Sequence, residues 1–228
     1  SSDLEAEAIH PGFGFLSENS KFATMCEEVG VKFIGPSGAI MDMMGDKINA
    51  RAQMIKANVP VIPGSDGEVF TAEEALEVAN RLGYPVMLKA SAGGGGKGIR
   101  KVNTEEELAP AFESASQEAK AAFGNGAMYI EKVIYPARHI EVQILGDSYG
   151  NIVHLGERDC SLQRNNQKVL EESPSVAIGK TLRHEIGSAA VRAAKAVNYE
   201  NAGTIEFLLD EKSGQFYFME MNTRVQVE

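Results

Sequence analysis

Two glutamates near the end of the chain have a spacing that could hold a metal ion. Glu206 and Glu220 lie in two apolar segments that a turn near Ser213 joins into a predicted hairpin, and this turn places the carboxylates opposite each other. Facing carboxylates repel each other unless a cation lies between them. Because carboxylate and amide oxygens are the ligands that Mg²⁺ prefers, Glu206, Glu220 and Asn222 are candidate ligands. An exposed polar strand face, or a basic partner strand that neutralises the pair, is the alternative explanation.

The alternation of polar and apolar residues continues beyond this pair to the end of the chain. Arg224, Gln226 and Glu228 share the face of Glu220 if the backbone stays extended. Together with Lys168 in a polar segment upstream, the arginine and the last glutamate could bind a small acid and deprotonate it for attack on a γ-phosphate. Phosphoryl transfer needs positioning and charge stabilisation more than covalent chemistry, so this residue set fits that reaction class.

A glycine-rich segment is the second feature with chemical potential. Strands are predicted over 86–90, which contains Lys89, and over 99–102; between them lie Gly93, Gly94, Gly95, Gly96 and Gly98. Since glycine carries no Cβ, the backbone amides of such a hairpin tip can approach a polyphosphate closely, and the tip can close as a flap. A flexible surface turn is the alternative explanation.

Two common nucleotide-binding motifs do not fit this segment. Three of its glycines match Gly-x-Gly-x-x-Gly, but the next helix is predicted to begin only at Thr104, so no helix N-terminus would face a pyrophosphate. The P-loop spacing fails because Ser91 stands at its first glycine and no serine or threonine follows Lys97. A glycine-tipped hairpin is therefore predicted, rather than a dinucleotide-binding fold.

Composition excludes several classes of protein. The 228 residues include 22 basic and 32 acidic side chains, and the net charge of −10 argues against nucleic acid as a partner. No apolar run is long enough to cross a membrane and no signal peptide is recognisable, so no membrane partner is expected. Cys26 and Cys160 show no motif spacing and fit a reducing compartment, which predicts a cytoplasmic location.

Hydrophobic periodicity predicts a mixed α/β chain. Residues 157–172 are polar and lack a clear period, so a long functional loop is predicted there. Helices are predicted over 19–29, 38–57 with an interruption at Gly45, 72–82 with Thr71 as its cap, 104–123 and 181–197. The remaining strands are predicted over 31–34, 60–64, 127–134, 139–145, 152–156, 203–209 and 215–221.

Several long motifs resemble the biotin carboxylase family, whose fold is the ATP-grasp fold. They cover nearly the whole chain, and their length makes chance similarity a poor explanation. The matching motifs are His10-Pro11-Gly12-Phe13-Gly14-Phe15-Leu16-Ser17-Glu18-Asn19, Gly45-Asp46-Lys47, Lys89-Ala90-Ser91, Glu157-Arg158-Asp159-Cys160-Ser161 and Glu220-Met221-Asn222-Thr223-Arg224-Val225-Gln226-Val227-Glu228.

The resemblance implies an α/β (α+β) ATP-grasp fold with a glycine-rich lid and a remnant of an N-terminal, Rossmann-like pre-ATP-grasp domain. The implied domains are the end of the N-terminal domain (1–34), a linker helix (35–59), the lid (60–134) and the first part of the central ATP-grasp subdomain (135–228). Since the chain begins abruptly and ends within a predicted strand, we expect it to be a fragment of a longer protein.

The resemblance also implies a ligase reaction. Bicarbonate attacks the γ-phosphate of MgATP to give carboxyphosphate, and the CO₂ that this intermediate releases carboxylates biotin on biotin carboxyl carrier protein. This is the first half-reaction of acetyl-CoA carboxylase in fatty-acid synthesis. The implied partners are the carrier protein, carboxyltransferase subunits and a second copy of the full-length protein in a homodimer. The implied cofactors are ATP and two Mg²⁺ or Mn²⁺ ions, with bicarbonate and carrier-bound biotin as substrates.

Functional residues carried over from the family fall into four groups. The implied metal ligands are the residues already singled out by pattern, Glu206, Glu220 and Asn222. Lys168, Arg224, Gln226 and Val227 would bind bicarbonate, and Glu228, Arg224 and Lys168 would be catalytic, with Glu228 as the base. The implied ATP contacts are Lys47, Lys89, Gly93, Gly94, Gly95, Gly96, Glu131, Lys132, Ile134, His139, Gln163 and Leu208.

Two alternatives remain beside this interpretation. One is another bicarbonate-activating ATP-grasp ligase of the carbamoyl-phosphate synthetase type, which would not depend on biotin. The other is a fragment that binds ATP without turnover. The chain also departs from the family at Asn165 and Asn166, where the family commonly has Arg-His.

Overall fold

The computed structural model describes residues 5–91, 98–164 and 167–227, and the chain divides into two compact units. The larger unit comprises Ser1–Val61 and Pro136–Glu228, and the smaller comprises Ile62–Tyr135. The described elements are, in chain order, β1 (Ala8–Ile9), α1 (Ser20–Glu28), β2 (Lys32–Phe33), α2 (Gly38–Gly45), α3 (Lys47–Lys56), α4 (Ala72–Leu82), β3 (Val86–Ala90), β4 (Arg100–Val102), α5 (Leu108–Phe123), β5 (Met128–Lys132), β6 (Ala137–Gly146), β7 (Ile152–Arg164), β8 (Gln167–Glu172), α6 (Lys180–Ala196), β9 (Asn201–Asp210) and β10 (Phe216–Asn222).

An antiparallel sheet of order β10-β9-β6-β7-β8 forms the centre of the larger unit. One face carries Ile140, Val142, Ile205 and Phe207, which are buried in one core with the alanine-rich helix α6. This burial removes apolar surface from water and fixes which side of each strand faces the core. The opposite face is therefore left to the polar side chains of the same strands.

Residues 157–164 and 167–172 form strands, so the prediction of a long loop over 157–172 is wrong. They belong to β7 and β8, which pair with each other. Periodicity missed them because their buried side chains are charged: Glu157 and Asp159 are 4% and 7% exposed. Arg183 donates to Glu157 at 2.7 Å, and Ser175 donates to Asp159 at 3.0 Å. Partners from other segments thus replace the apolar contacts that sequence patterns detect.

Asp159 gives a prediction about acid stability. Burial would raise the pKa of its carboxyl, but hydrogen bonds from Ser161 and Ser175 and the charge of Arg138 outweigh burial and lower the pKa. A carboxylate with a lowered folded-state pKa stabilises the fold fully above its unfolded pKa of about 3.9, and loses that contribution as the pH falls through the folded value. We expect Asp159→Asn to lower the free energy of unfolding by about 1–3 kcal/mol at pH 7.

Urea unfolding at pH 7 and pH 3 tests this prediction. The difference between the variant and the unmodified chain should shrink at pH 3, because the carboxylate is then losing its ionised form. Asp42→Asn, at an exposed position of α2, is the matched control and should change neither value. An equal loss at both pH values would contradict the electrostatic explanation.

The hairpin of β9 and β10 pairs Glu206 with Glu220, as predicted, but for a different reason. Near the turn, Phe216 pairs with Leu209 and Phe218 with Phe207, a register that would place Met219 opposite Glu206. A β-bulge between Phe218 and Glu220 adds one residue to β10 and brings Glu220 into that position. The bulge also decides the faces of β10, because it places Phe218 and Met221, three positions apart, in the same core.

The predicted interruption of the helix over 38–57 is confirmed. Helix α2 ends at Gly45, and the Asp46 side chain then accepts from the amides of Ile48 and Asn49 as the N-cap of α3. Lys47 is thereby the first residue of α3 and is exposed.

The smaller unit is an antiparallel sheet of order β4-β3-β5 with helices α4 and α5. The Thr71 cap is confirmed and extends to a capping box, since Glu74 returns a hydrogen bond to the Thr71 amide. Helix α5 begins at Leu108 rather than at 104, because the Glu107 carboxylate accepts from the Asn103 amide in a preceding turn. The segment 60–64 is not a strand and makes only single bridges, so that prediction is wrong.

Among the described residues, no helix combines the length and apolar character needed to cross a bilayer.

Candidate functional site

A row of charged residues crosses four strands of the larger sheet at one level. Glu141 on β6 pairs with Arg158 on β7 and with Glu206 on β9, and Glu206 pairs with Glu220 on β10. We name Arg158, Glu141, Glu206 and Glu220 the acidic row. Three adjacent carboxylates repel one another at this spacing, so the row requires positive charge to be stable.

Lys168 on β8 supplies positive charge within the acidic row. Its ammonium group donates to the Glu141 carboxylate and, at 3.0 Å, to Glu206 Oε1. Arg158 Nε donates to the other Glu141 oxygen at 2.5 Å. Glu141 is fully buried, so its charge depends on these two partners.

The pKa values of these groups follow from the same contacts. Burial would raise the pKa of Glu206, but hydrogen bonds from His139 and Lys168 and the positive charge of Lys168 lower it to about 2. Burial would lower the pKa of Lys168, but Glu141 and Glu206 raise it well above its usual range. Glu206 and Lys168 are therefore both charged at neutral pH.

Glu220 differs from the rest of the acidic row. Within the described ranges, no hydrogen bond or ion pair reaches its carboxylate. Glu220 keeps contact with solvent, but partial desolvation and the neighbouring Glu206 charge raise the pKa of its carboxyl, which the more distant charge of Lys47 only partly offsets. An uncompensated carboxylate facing an ionised one is an environment that a bound cation would relieve.

The oxygen atoms around the Glu206 and Glu220 carboxylates fit a hard divalent cation. Glu206 and Glu220 offer carboxylate oxygens, and the Asn222 amide reaches Glu206 Oε1 at 2.7 Å. The amide nitrogen donates in this arrangement, and rotation of the amide would turn its oxygen toward the same position. Oxygen-only ligands suit Mg²⁺ or Mn²⁺. The structure thus brings together all three predicted metal ligands.

His139 links the acidic row to β7. Its Nε2 lies 2.7 Å from Glu206 Oε2, and its Nδ1 lies 2.6 Å from the Gln163 amide nitrogen. That amide also donates to the Cys160 carbonyl at 3.0 Å, which fixes its orientation because a carbonyl only accepts. His139 Nδ1 is therefore an acceptor, and Nε2 carries the proton donated to Glu206. Leu208 pairs with His139 across β6 and β9.

The segment after Asn222 leaves the sheet, so strand alternation does not extend to the end of the chain as the sequence suggested. Arg224 Nε instead lies 3.3 Å from Glu18 Oε2. The side-chain oxygen of Gln226 is buried without a hydrogen-bond partner among the described residues. Val227 is exposed, and Glu228 lies outside the described residues.

The predicted residues of the smaller unit lie on β3 and β5. Lys89 forms an ion pair with Glu131 across these strands. Lys132 donates to the carbonyls of Gly83 and Tyr84 at 2.7 and 3.1 Å, which are the first carbonyls after α4. Ile134 follows β5 and is partly buried. The glycine run 93–96 and the departures Asn165 and Asn166 lie outside the described residues.

Sequence reasoning missed three residues of the larger site. Glu141 lies in the strand predicted over 139–145 and Arg158 in the predicted loop, and neither prediction relates the two residues, although they are register partners. Glu18 lies in the family motif that begins at His10, but no sequence pattern relates it to Arg224, which is 206 positions away. For Glu141, a charged residue between Ile140 and Val142 was the available signal.

Comparison with known proteins identifies the family. Residues 46–228 match the family model described as "Carbamoyl-phosphate synthase L chain, ATP binding domain", and residues 1–41 match "Biotin carboxylase, N-terminal domain". Over 223 residues, 98% of the chain, it is 60% identical to biotin carboxylase of Nostoc sp. (strain PCC 7120 / SAG 25.82 / UTEX 2576). The chain belongs to the biotin carboxylase family. It is also 56% identical over 224 residues, again 98% of the chain, to pyruvate carboxylase of Bacillus subtilis (strain 168).

Solved structures of the biotin carboxylase family confirm the predicted ATP-grasp fold. The biotin carboxylase of Campylobacter jejuni, solved as a β-γ-ATP complex, superimposes on the whole chain with a TM-score of 0.91 at 55% identity. The biotin carboxylase domain of Hydrogenobacter thermophilus 2-oxoglutarate carboxylase, solved as a dimer with MgADP, ADP and bicarbonate, gives 0.89 at 54% identity over the whole chain. The chain covers 51% and 50% of these two structures, 50% of the Nostoc protein and 19% of the pyruvate carboxylase.

Proposed function

We propose that the chain is the ATP- and bicarbonate-using part of a biotin carboxylase, a ligase that carboxylates biotin through carboxyphosphate. The observation that carries this proposal is the acidic row, in which Lys168 compensates Glu141 and Glu206, while Glu220, two positions before Asn222, has no hydrogen-bond or ion-pair partner among the described residues. A divalent ion between Glu206 and Glu220 would neutralise charge on the nucleotide phosphates. Membership of the biotin carboxylase family supplies the substrate class.

In this proposal, residues next to the metal ligands bind and activate bicarbonate. Lys168 and Arg224 provide positive charge, and Gln226 offers a buried side-chain oxygen that lacks a partner among the described residues. Val227 would contribute backbone contacts, and Glu228 would remove the proton of bicarbonate as general base. An anion held by two cationic side chains is positioned for attack, which lowers the barrier by proximity and charge stabilisation.

We propose ATP contacts in each of the two units. In the larger unit they are Lys47, His139, Gln163 and Leu208. In the smaller unit they are Lys89, Glu131, Lys132 and Ile134, with the glycine run 93–96 as the flap. Lys89 forms an ion pair with Glu131, so these two proposed contacts lie side by side. The domain boundaries at 34, 59 and 134 are proposed on the same basis.

We propose acetyl-CoA as the final acceptor, with biotin carboxyl carrier protein and carboxyltransferase as partners and a homodimer as the assembly. The relative at 60% identity is named biotin carboxylase, which supports this choice over the pyruvate carboxylase relative at 56%. A reconstituted mixture with carrier protein and carboxyltransferase should transfer the carbon label of bicarbonate, as a carboxyl group, to acetyl-CoA. Transfer to pyruvate or 2-oxoglutarate, but not to acetyl-CoA, would contradict it.

ADP release tests the first half-reaction. We would measure it with this chain, and with a chimera in which the chain replaces the matching half of the Nostoc relative, with and without bicarbonate and free biotin. Release in either protein that requires both additions is the expected result. Stimulation by bicarbonate alone would favour the carbamoyl-phosphate synthetase type of reaction. ATP binding without release in both proteins would favour a non-catalytic nucleotide-binding module.

A further inference from the structure

We propose that Glu18 is a positioning residue that orients Arg224 so that its two terminal nitrogens are available to an anion. This inference rests on the proposed function, in which Arg224 binds bicarbonate. Glu18 belongs to the N-terminal loop before α1, and Arg224 belongs to the segment after β10, and both lie in the larger unit. Nothing in the motif that contains Glu18 assigns it a role.

The backbone after β10 needs an acceptor outside the sheet. Strand pairing ends at Asn222, and the next residue, Thr223, is only 5% exposed. Its amide and its hydroxyl both donate to Glu18 Oε1, at 3.1 and 3.3 Å. Since a buried amide without a partner is costly, the Glu18 carboxylate anchors the segment at the point where it leaves the sheet.

The second carboxylate oxygen acts on Arg224. Glu18 Oε2 lies 3.3 Å from Arg224 Nε, and within the described ranges Nε is the only atom of Arg224 with a hydrogen-bond or ion-pair partner. A guanidinium group held at Nε keeps both Nη groups as a planar pair of donors, the geometry that matches a carboxylate-like anion in a bidentate contact. Bicarbonate presents such a pair of oxygens.

Glu18 is itself held by local structure. The next residue, Asn19, caps α1 by accepting from the Phe22 amide at 2.8 Å, and the Ser17 amide donates to the Gly14 carbonyl at 3.0 Å. Ser17 is 3% exposed. Hydrogen bonds of both neighbouring residues therefore fix the backbone at Glu18, just before α1. A fixed backbone allows the Glu18 carboxylate to set the direction of the Arg224 side chain.

The surface ion pair alone would contribute little, because exposed pairs are weakened by solvent and Glu18 is 44% exposed. The functional prediction depends instead on orientation. Loss of the carboxylate frees the Arg224 side chain to sample other rotamers. Binding of an anion in a bidentate contact must then order this side chain, and the conformational entropy lost weakens the binding. Weaker bicarbonate binding with unchanged nucleotide binding is the expected signature.

Nitrogen-15 NMR of the whole chain tests the proposal without requiring turnover. The Nε–H signal of Arg224 would be assigned by its loss in Arg224→Lys. In Glu18→Ala, exchange of this proton with water should accelerate by about tenfold or more, because its acceptor is gone. Titration with ¹³C-bicarbonate, against sodium chloride at equal ionic strength, should show about tenfold weaker binding than in the unmodified chain.

Glu18→Gln separates positioning from anchoring. The glutamine oxygen can still accept from the Thr223 amide but no longer pairs with a guanidinium charge. We expect Thr223 to stay protected from exchange while the Arg224 Nε–H and bicarbonate affinity change as in Glu18→Ala. Glu28→Gln, an exposed glutamate of α1, makes the same charge change and should alter neither.

Three outcomes would overturn the proposal. Unchanged Arg224 Nε–H exchange in Glu18→Ala would show that Glu18 does not hold the arginine. Faster exchange with unchanged bicarbonate affinity would show that this contact does not serve the anion. Absence of any bicarbonate response in the unmodified chain, with normal MgATP binding, would remove the proposed substrate and the anion role with it, while the exchange rates would still report whether Glu18 holds Arg224.

Discussion

Replacing Glu220 with glutamine is expected to weaken Mn²⁺ binding to the chain by about 100-fold or more, because one of two facing carboxylate ligands loses its charge. ADP release in the chimera should fall by at least about 100-fold, since charge on the transferring phosphoryl group is no longer neutralised. The free energy of unfolding should not decrease. Glu220 faces the ionised Glu206 across the hairpin and this charge raises the pKa of Glu220, so a neutral amide of the same shape should relieve repulsion.

This combination distinguishes a metal ligand from a structural glutamate. Mn²⁺ affinity would be measured by titration calorimetry, and the free energy of unfolding by urea denaturation without metal. Glu185→Gln, an exposed position of α6, removes the same charge from the same unit and should leave both measurements unchanged. A marked loss of stability in Glu220→Gln with normal Mn²⁺ affinity would contradict the metal site.

Replacing Phe207 with alanine is expected to cost about 3–5 kcal/mol in the free energy of unfolding of the larger unit, because it leaves a cavity in the core. Phe207 is fully buried beside Glu206 on β9 and makes edge-to-face contacts with Phe216 and Phe218, at centroid distances of 5.6 and 6.5 Å. Those contacts fix β10 against β9 up to the bulge that sets Glu220 opposite Glu206.

Urea denaturation followed by circular dichroism measures this loss, and hydrogen exchange of the β9 amides localises it. Tyr149→Ala is the control, because Tyr149 is 88% exposed in the turn between β6 and β7 and its removal leaves no cavity. A loss below about 1 kcal/mol in Phe207→Ala would mean that the core collapses into the vacated space without cost.

Some features of the site could be read from the sequence because they are local. The Thr71 cap, the break before Lys47 and the β3 strand that carries Lys89 depend on residues within a few positions of each other. The pairing of Glu206 with Glu220 was also predicted, because two apolar strands joined by a short turn restrict which residues can face each other, although a bulge sets the actual register. The long family motifs further identified the fold and the family.

Other features were decided only by tertiary contacts. The described residues of the predicted loop, 157–164 and 167–172, belong to two strands because their charged side chains are satisfied by partners such as Arg183 and Ser175, which lie elsewhere in the chain. The bulge in β10 changes the register by one residue, which alternation alone cannot reveal.

The sequence by itself therefore determined the family, the fold class and the residue types available for phosphate and metal chemistry. Only the tertiary structure decided which charges compensate each other. Lys168 is shared between Glu141 and Glu206, Glu18 reaches Arg224 from the other end of the chain, and Glu220 is left without a partner among the described residues. The physical reason is that burial makes each charge depend on its neighbours in space, and sequence separation carries no information about those neighbours.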